Sequence, residues 1–450
     1  MATALIILAA GQGTRMNSDL PKVLHRIGAA PLFAHALAAG QAVDPERRVV
    51  VVGHGGADVA TAARKIDEDI VIAEQSEQLG TAHAVAQARA ALADFEGDVF
   101  VLYGDTPFVQ GETLERMLEA RKSHDVVILG FEAADAGRYG RLVMAGDKLE
   151  RIVEFKDATE DERAISLCNS GVICADAQRL FSLIDAVGND NASGEFYLTD
   201  IVGLATARGL SATAVTCPEA ETLGVNTRAE LARAEALFQA TKRAQALEDG
   251  VTLVAPETVY FALDTYLGRD AYIEPNVVFG PDVTVESGAT IRAFSHLEGC
   301  HVGARATVGP FARLRPGAEL ANDAHIGNFV EIKNALIGEG TKVNHLSYVG
   351  DADIGDGTNV GAGTITCNYD GVFKHRTTIG RNAFIGSNTL LVAPVTVGHE
   401  AMTATGTVVT KDVENGALAI GRAKQENKPM LAVRLFDKLK AAKAAGRKPS

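Results

Sequence analysis

The sequence has few cysteines, little positive charge and no long apolar segment, and each shortage excludes a class of protein. Its 450 residues include only five cysteines, which are widely spaced and form no CxxC pair. An odd number of scattered cysteines without a secretory pattern argues against a disulfide framework and against a zinc site. We therefore expect reduced thiols at Cys168, Cys174, Cys217, Cys300 and Cys367.

Positive charge is scarce, since 43 Lys and Arg residues face 57 Asp and Glu residues, a net charge of −14 at pH 7. Nucleic-acid binding usually needs a basic face that displaces counterions from phosphates. We expect no nucleic-acid partner, and any phosphate site must be local. The C-terminus is the exception, because only basic charges follow Asp437. Residues 426–450 are expected to form a helix and a basic tail.

Apolar segments are short as well. The opening MATALIILAAGQG has the apolar residues of a signal peptide, but it lacks a basic flank and its apolar run is short. A buried strand is the better interpretation. With 47% hydrophobic and 22% charged residues, the composition is typical of a globular protein rather than a disordered chain or a coiled coil. We expect a cytoplasmic protein without membrane insertion.

The N-terminal half alternates short aliphatic runs with helical patterns, as in ALIILAA, PLFAHALAAGQAV and RVVVVGH. This alternation predicts a mainly parallel sheet covered by helices, a Rossmann-like α/β domain over residues 1–227. Ligands of such sheets bind in the loops after the carboxyl ends of the strands. The loops after ALIILAA and DVFVLYGD are therefore the places to look for a site.

The C-terminal half has a different pattern. Residues 228–249 are predicted to form a linker helix that ends before Gly250. Residues 250–425 then show a six-residue period, which predicts a parallel β-helix whose units each form a short strand and a turn. Six aliphatic residues in one frame would occur by chance roughly once in several thousand cases. The two runs, the second with one Thr, are Val302, Val308, Leu314, Leu320, Ile326 and Ile332, and Ile379, Ile385, Leu391, Val397, Thr403 and Val409.

Two loops of the N-terminal half carry residues suited to phosphate chemistry. In AAGQGTRM the glycines allow a ligand to approach the backbone, and Arg15 and Lys22 supply charge for a polyphosphate. Neither GxGxxG nor GK[ST] is present, which excludes a dinucleotide fingerprint and a Walker A loop. Asp105, at the end of a later strand, is placed to hold Mg²⁺. Taken singly, these features also fit a tight turn with surface cations and a helix cap.

Together, LAAGQGTRM, PK and YGD resemble the sugar-phosphate nucleotidyltransferases. With the hexapeptide half included, residues 1 to 425 are similar to the bacterial family of bifunctional N-acetylglucosamine-1-phosphate uridylyltransferases and glucosamine-1-phosphate N-acetyltransferases. The resemblance implies a left-handed β-helix and a homotrimer with shared acetyltransferase sites. It implies that acetyl-CoA acetylates glucosamine-1-phosphate. UTP and Mg²⁺ would then convert N-acetylglucosamine-1-phosphate into UDP-N-acetylglucosamine, which feeds peptidoglycan and lipopolysaccharide synthesis.

For uridylyl transfer, the resemblance implies Mg²⁺ ligands at Asp105 and Asn226 and a phosphate contact at Lys22, with Arg15 neutralising charge. Positioning and charge neutralisation can carry this reaction without a covalent nucleophile. Further contacts with the nucleotide and the sugar are implied at Leu8, Ala9, Ala10, Gly11, Gln75, Gly80, Thr81, Tyr103, Gly104, Gly140, Glu154 and Asn169.

For acetyl transfer, the resemblance implies that His345, in KVNHLSYVGD, is the base and that Glu331 orients it. By itself such a histidine would be read as a surface residue. Sugar-phosphate contacts are implied at Arg315, Lys333, Tyr348 and Asn359, and acetyl-CoA contacts at Ala362, Asn368, Tyr369, Ser387, Thr405 and Arg422. Thr405 departs from the family pattern, in which an alanine is expected. The inserted loop TCNYDGVFKHRT is expected to protrude at the binding face.

Two other interpretations stay open at this point. The chain could be a nucleotidyltransferase for glucose or mannose whose β-helix serves only oligomerisation or allostery, which predicts no base and no coenzyme pocket. It could instead be a non-catalytic interaction subunit, as in translation-factor exchange complexes, which predicts lost metal and phosphate groups. The presence of Arg15, Lys22, Asp105, Asn226 and His345 argues against them.

Overall fold

A computed structural model of the chain describes residues 2–53 and 56–446. Contacts divide the chain into two compact units. The first is Met1–Asp249 with Ala255–Tyr266 and Val278–Val283, and the second is Gly250–Val254, Leu267–Val277 and Thr284–Ser450. The helices are α1 Leu32–Gly40, α2 Ala57–Ile66, α3 Thr81–Ala86, α4 Gly111–Arg121, α5 Glu160–Arg163, α6 Ala177–Ile184, α7 Asp200–Ala207, α8 Arg228–Glu248 and α9 Leu431–Ala444.

The first unit is built on a twisted sheet with the order β11-β7-β10-β6-β1-β4-β5. Its neighbours are parallel except at β10, which runs antiparallel to β6 and β7. The predicted, mainly parallel α/β fold is thus confirmed. The strands are β1 Thr3–Ala9, β2 Arg26–Ile27, β3 Ala30–Pro31, β4 Pro45–Gly53, β5 Val71–Gln75, β6 Asp98–Tyr103, β7 Val126–Glu132, β8 Arg141–Ala145, β9 Lys148–Val153, β10 Leu167–Asp176 and β11 Ala212–Cys217.

Strand β1 explains the apolar opening of the sequence. Leu5 and Ile7 pack into the core on one face of the sheet, and Ile6 and Leu8 pack into the core on the other. Because successive side chains of a strand point to opposite faces, a strand covered on both faces must be continuously apolar. The expected buried strand is confirmed.

Helix α8, which the sequence pattern predicts as a linker, belongs to the first unit. It begins with a capping box between Thr227 and Glu230. The Phe238 ring meets the His35 ring edge-on at 5.5 Å between centroids. The Gln239 side chain donates to the Phe261 carbonyl at 2.7 Å and accepts from the Phe261 amide at 2.8 Å. These buried contacts make α8 a packed element rather than a free connection.

The second unit is a left-handed parallel β-helix, as predicted. Its strands pair in parallel with strands of the coils before and after them. Contacts group β15 and the first residues of β13 and β16 with the first unit, although these strands follow the same repeat. The strands of the repeat are β12 Thr252–Leu253, β13 Tyr266–Leu267, β14 Tyr272–Ile273, β15 Val278–Phe279, β16 Val283–Val285, β17 Thr290–Ile291, β18 His296–Leu297, β19 Cys300–Val302, β20 Thr307–Val308, β21 Arg313–Leu314, β22 Ala318–Leu320, β23 His325–Asn328, β24 Glu331–Ile337, β25 Lys342–His345, β26 Tyr348–Ile354, β27 Asn359–Val360, β28 Ile365–Cys367, β29 Thr377–Ile379, β30 Phe384–Ile385, β31 Leu390–Val392, β32 Val395–Val397, β33 Met402–Thr403, β34 Val408–Val409 and β35 Leu418–Ala419.

The interruption of the six-residue period has a geometric cause. Val308 pairs with Ile326, so this coil consists of three full repeat units. Ile326 then pairs with Val343 and Val343 with Val360, and each of these two coils lacks a single residue of the full length. The next pair, Val360 with Ile385, closes a much longer coil because it contains the inserted loop. The stacking therefore continues through the segment in which the sequence period slips.

Beyond the β-helix, α9 covers the middle of the predicted C-terminal segment, and residues 447–450 of the predicted tail lie outside the described residues. No helix within residues 2–53 and 56–446 has both the length and the apolar character needed to span a bilayer. Cys168, Cys174, Cys217 and Cys367 carry free thiols, and Cys300 is buried.

The single Thr in the aliphatic repeat generates a stability prediction. Thr403 is fully buried, its hydroxyl accepts from the Gly386 amide at 2.9 Å, and it lies 3.0 Å from the Thr389 hydroxyl. Thr403→Val keeps the shape but removes these hydrogen bonds, so we expect the free energy of unfolding to fall by about 1 kcal/mol. Urea denaturation followed by circular dichroism measures this. Thr378→Val, on the exposed face of β29, is the matched control, and equal stability of the two variants would contradict the account.

Candidate active sites

The first unit has a cavity of about 340 Å³ at the carboxyl ends of β1, β5 and β6. This is the position that the parallel topology favours. Nine residues predicted from the sequence line it, namely Leu8, Ala10, Gly11, Lys22, Gln75, Gly80, Thr81, Tyr103 and Asp105. Gly104 lies next to it, and its amide donates to the Leu8 carbonyl at 2.9 Å.

The loop after β1 depends on Gly13. Its φ of +63° lies in the left-handed region, and a Cβ there would lie 2.5 Å from the Cβ of Lys22. A glycine is therefore needed for the loop to turn and for Lys22 to come this close. Two predicted residues do not line the cavity: the Ala9 side chain packs into the core on the opposite face of β1, and Arg15 is exposed.

The two predicted Mg²⁺ ligands converge on a single positive charge. The Lys22 ammonium forms an ion pair with Asp105 and donates to Asn226 Oδ1 at 3.0 Å. Backbone pairing holds the arrangement, since the Val225 amide donates to the Asp105 carbonyl at 2.9 Å. Among the described residues, no group of three or more His, Cys, Asp or Glu side chains forms a metal cluster. A carboxylate with one amide oxygen nevertheless fits Mg²⁺, which commonly takes one or two protein oxygens with water and phosphate.

The remaining predicted residues of this unit form a second wall. The backbone amide of Asn169 donates to the Gly140 carbonyl at 2.9 Å, and the Thr199 hydroxyl donates to Glu154 Oε1 at 3.1 Å. Burial raises the pKa of Glu154 above its ordinary value, and nearby Asp200 and Asp157 raise it further. A carboxyl group in this position can hold a proton more readily than an exposed one.

In the second unit, contacts bring the predicted residues together in two groups. The first group surrounds Lys333, which is in side-chain contact with Lys374 of the inserted loop. Tyr348 lies beside them, and the Asn368 amide nitrogen is 3.4 Å from the Tyr348 hydroxyl. Two adjacent ammonium groups beside a phenol and an amide suit a phosphate and its sugar.

Near this group, the structure differs from the expectation for Glu331. The Glu331 carboxylate accepts from Arg315 at 2.8 Å, whereas Asn328 Oδ1 lies 2.7 Å from His345 Nδ1. The register explains the difference, because β23 and β25 align Asn328 with His345, and β24 and β26 align Glu331 with Tyr348. In this structure His345 is therefore hydrogen-bonded to Asn328 and not to Glu331. An acceptor at Nδ1 keeps the proton there and leaves Nε2 free to act as a base.

The second group is a line of small residues that begins at His345. The strand pairing aligns four residues on consecutive coils, namely Lys342, Asn359, Phe384 and Met402. The residues three positions after them follow the same alignment, and they are His345, Ala362, Ser387 and Thr405. Consecutive coils are about 4.8 Å apart, so this line runs along the β-helix. The Arg422 guanidinium donates to the Thr405 carbonyl at its far end. The result is a strip of small residues with the His345 imidazole at one end and the Arg422 guanidinium at the other.

Two predicted residues lie beside these groups rather than in them. Asn359 is aligned with Lys342 on the neighbouring coil. Tyr369 lies in the protruding loop, where its exposed hydroxyl donates to the Gly371 carbonyl at 2.6 Å and its backbone pairs with Lys374. The inserted loop therefore projects from the β-helix, as expected.

The structure also adds residues that the sequence pattern did not indicate. Gln78 and Glu195 line the N-terminal cavity, and Gln78 donates to the Ala10 carbonyl at 2.6 Å. Beside His345, a cavity of about 520 Å³ is lined by Arg292 and Lys342 among others. These polar residues stand in loops or at outward positions of the repeat, where they carry no motif. In the sequence they are visible only as polar or charged side chains at positions that need neither for folding.

Comparison with known proteins agrees with this two-part organisation. A family model for the MobA-like NTP transferase domain matches residues 5–172, and one for the hexapeptide repeat of succinyl-transferase matches residues 376–411. The chain is 69% identical over 445 residues to the bifunctional protein GlmU of Cereibacter sphaeroides, covering 99% of this chain and 98% of that protein. It is 70% identical over 448 residues to the bifunctional protein GlmU of Ruegeria pomeroyi, covering 100% of both.

The fold and the sites thus define a transferase that joins a nucleotidyltransferase domain to a hexapeptide-repeat domain. Within that class, the identity over essentially the whole length of both relatives places the chain in the bifunctional GlmU family.

The packing of Tyr103 generates a prediction for the N-terminal cavity. Gly171 has a φ of +93°, and a Cβ there would lie 2.6 Å from the Tyr103 ring. Gly171→Ala should strain the backbone and push the ring into the cavity, so we expect the affinity for UTP to fall about tenfold. Isothermal titration calorimetry measures the change. Gly188→Ala, where a Cβ meets nothing within 4 Å, is the control, and unchanged UTP binding by folded Gly171→Ala would refute the prediction.

Proposed function

We propose that the chain makes UDP-N-acetylglucosamine in two steps at two sites. Residues 250–425 would transfer the acetyl group of acetyl-CoA to glucosamine-1-phosphate, and residues 1–227 would transfer uridylyl from UTP to the N-acetylglucosamine-1-phosphate formed. One observation supports the proposal: each unit separately brings together polar groups suited to its reaction. Lys22, Asp105 and Asn226 form the first set. The second set is centred on Lys333 and His345.

The N-terminal site supports uridylyl transfer by position and charge. The loop of Gly11 and Gly13 would let the phosphates approach the backbone, and Gln75, Gly80 and Thr81 would enclose the base. The wall of Gly140, Glu154 and Asn169 would face the sugar. The sugar phosphate oxygen attacks the α-phosphorus of UTP while pyrophosphate leaves, so no covalent enzyme intermediate is needed.

Asp105 and Asn226 would hold the Mg²⁺ that this reaction uses. Their oxygens already meet around one positive charge, the Lys22 ammonium. The ion, when bound, would neutralise charge on the phosphates. Lys22 would then bind phosphate oxygens, and Arg15, exposed at the mouth of the loop, would add a second cation.

The C-terminal site supports acetyl transfer through His345. The amine of glucosamine-1-phosphate attacks the thioester carbon, its proton passes to His345 Nε2, and the C–S bond breaks to release the CoA thiolate. Lys333, with Arg315, Tyr348 and Asn359, would hold the sugar phosphate. The free Nε2 follows from the hydrogen bond at Nδ1.

The strip of small residues supports a long, extended co-substrate. Ala362, Ser387 and Thr405 leave room along the β-helix for the pantetheine arm of acetyl-CoA, and Arg422 at the far end suits its phosphates. Asn368 and Tyr369 would contact the acetyl end from the inserted loop. Thr405 narrows the strip compared with alanine and is expected to change coenzyme affinity rather than the reaction.

We also propose a homotrimer in the cytoplasm. The residues around Lys333 and the line of residues from His345 to Arg422 occupy separate parts of the β-helix. This separation suits sites that are shared between neighbouring subunits. The free thiols of Cys168, Cys174, Cys217 and Cys367 suit a reducing compartment.

A double dissociation tests the two-site proposal. Asp105→Asn should reduce uridylyl transfer on the order of a hundredfold or more, because a charged oxygen ligand is lost, and should leave acetyl transfer within about twofold. Pyrophosphate release and CoA release are measured separately. Asp94→Asn, which removes an exposed carboxylate paired with Arg47, is the matched control. Loss of both activities in folded Asp105→Asn would sink the proposal.

The reciprocal variant is His345→Ala. Loss of the base should slow CoA release on the order of 10²- to 10⁴-fold while pyrophosphate release from supplied N-acetylglucosamine-1-phosphate and UTP is unchanged. His296→Ala, an exposed histidine on β18, is the control. With glucosamine-1-phosphate as the only sugar, wild-type protein should release pyrophosphate only after acetyl-CoA is added. Acetyl transfer at the wild-type rate in His345→Ala would exclude this residue as the base.

A further inference from the structure

Three polar side chains stand one above another on consecutive coils of the β-helix, and we call them the Asn334–Asp351–Asn368 ladder. The register of β24 with β26 aligns Asn334 with Asp351. Asn334 Nδ2 donates to Asp351 Oδ1 at 2.6 Å, and Asn368 Nδ2 donates to Asp351 Oδ2. The Asp351 side chain is buried, at 6% exposure for the residue. A buried carboxylate thus has an amide donor on each side.

The middle position of the ladder requires two acceptors. A carboxylate presents only acceptors, whereas an amide presents one acceptor and one donor group. An asparagine at position 351 could satisfy both neighbours only if one of them turned its amide around. Turning Asn368 would exchange the positions of its oxygen and nitrogen at the acetyl-transfer site. The carboxylate of Asp351 therefore sets the orientation of Asn368.

Asp351 also supplies charge. Lys333 and Lys374 are in side-chain contact, and the proximity of Lys333 lowers the pKa of Lys374, while Asp351 opposes that effect. Burial raises the pKa of Asp351, but hydrogen bonds from Asn334 and Asn368 and the charges of both lysines hold it below its ordinary value. The Asp351 carboxylate thus places a negative charge near the Lys333 and Lys374 side chains, whose positive charges repel each other.

We propose that Asp351 is a positioning residue for acetyl transfer: it orients the Asn368 amide and places a negative charge beside Lys333 and Lys374, the two cations that would bind the sugar phosphate. This inference rests on the proposed function of the second unit. Asp351 acts through its neighbours rather than on the reacting atoms.

Other charged groups near the lysine pair are already engaged. Arg315 is paired with Glu331, and Arg376 is paired with Asp353. Tyr348 contributes a phenol next to the pair. Among the described neighbours that act on Lys374, Asp351 is therefore the carboxylate that balances the two lysines.

The test compares pH profiles of CoA release. In Asp351→Asn the Lys374 ammonium should lose its proton more easily, because the nearby negative charge is gone. The alkaline limb of kcat/KM for glucosamine-1-phosphate should therefore move to lower pH by about one unit. The KM for acetyl-CoA should rise on the order of tenfold because Asn368 loses its orientation. Asp351→Gly removes the same charge and suits the left-handed backbone at this position, where φ is +49°. If Asp351→Asn does not fold, Asp351→Gly provides the same test, and its alkaline limb should show the same shift.

The matched control is Asp323→Asn, an aspartate with the same left-handed backbone, at φ +58°, whose side chain pairs with Arg305 on the surface. Its pH profile should match wild type, and pyrophosphate release should be normal in every variant. A folded Asp351 variant with an unmoved alkaline limb and wild-type KM values would overturn the inference. Absence of CoA release by wild-type protein would instead refute the proposed function.

Discussion

The structure depends on one constraint, the parallel pairing of strands in register. In the first unit it places the ends of β1 and β6 side by side, so that the glycine loop and Asp105 meet at one edge of the sheet although they are far apart along the chain. In the second unit it stacks residues that are one full coil apart. Both sites are therefore built from residues that are distant in sequence and adjacent in space. The backbone hydrogen bonds that fold the chain are the same ones that assemble its chemistry.

A second common feature is that each site holds its cations against an acidic partner. Lys22 forms an ion pair with Asp105, and Asp351 interacts electrostatically with both Lys333 and Lys374. A half-buried cation without such a partner is costly, and two adjacent ones repel. The acidic groups keep the cations in place, ready for phosphate. In a chain of net charge −14, this local arrangement gives phosphate sites without a basic surface.

The sequence predicts the fold well because the fold follows from patterns of apolar residues. Continuous runs such as that of β1 and the six-residue period of the β-helix reflect burial directly. The partners of individual polar residues were less predictable. Glu331 was expected to orient His345, yet a coil that lacks a single residue of the full length aligns Asn328 with it. A shift of register by a single position decides which side chain contacts His345. The aliphatic pattern of the sequence does not reveal that shift. Likewise, α8 has an amphipathic pattern that fits either a linker or a packed helix, and only its contacts with His35 and Phe261 distinguish them.

The corners of the β-helix show why the functional residues of a repeat are hard to read. Asn and Asp are favoured where φ is positive, and Asp323, Asn334, Asp351 and Asn388 all have such a backbone. The same residue type is thus selected at structural and at functional corners. What separates Asp351 from Asp323 is its surroundings, since Asp351 accepts from two asparagine amides near a pair of lysines and Asp323 pairs with an exposed arginine. Because backbone preference already accounts for an aspartate at either position, its role in the chemistry becomes visible only from the side chains on the coils before and after it.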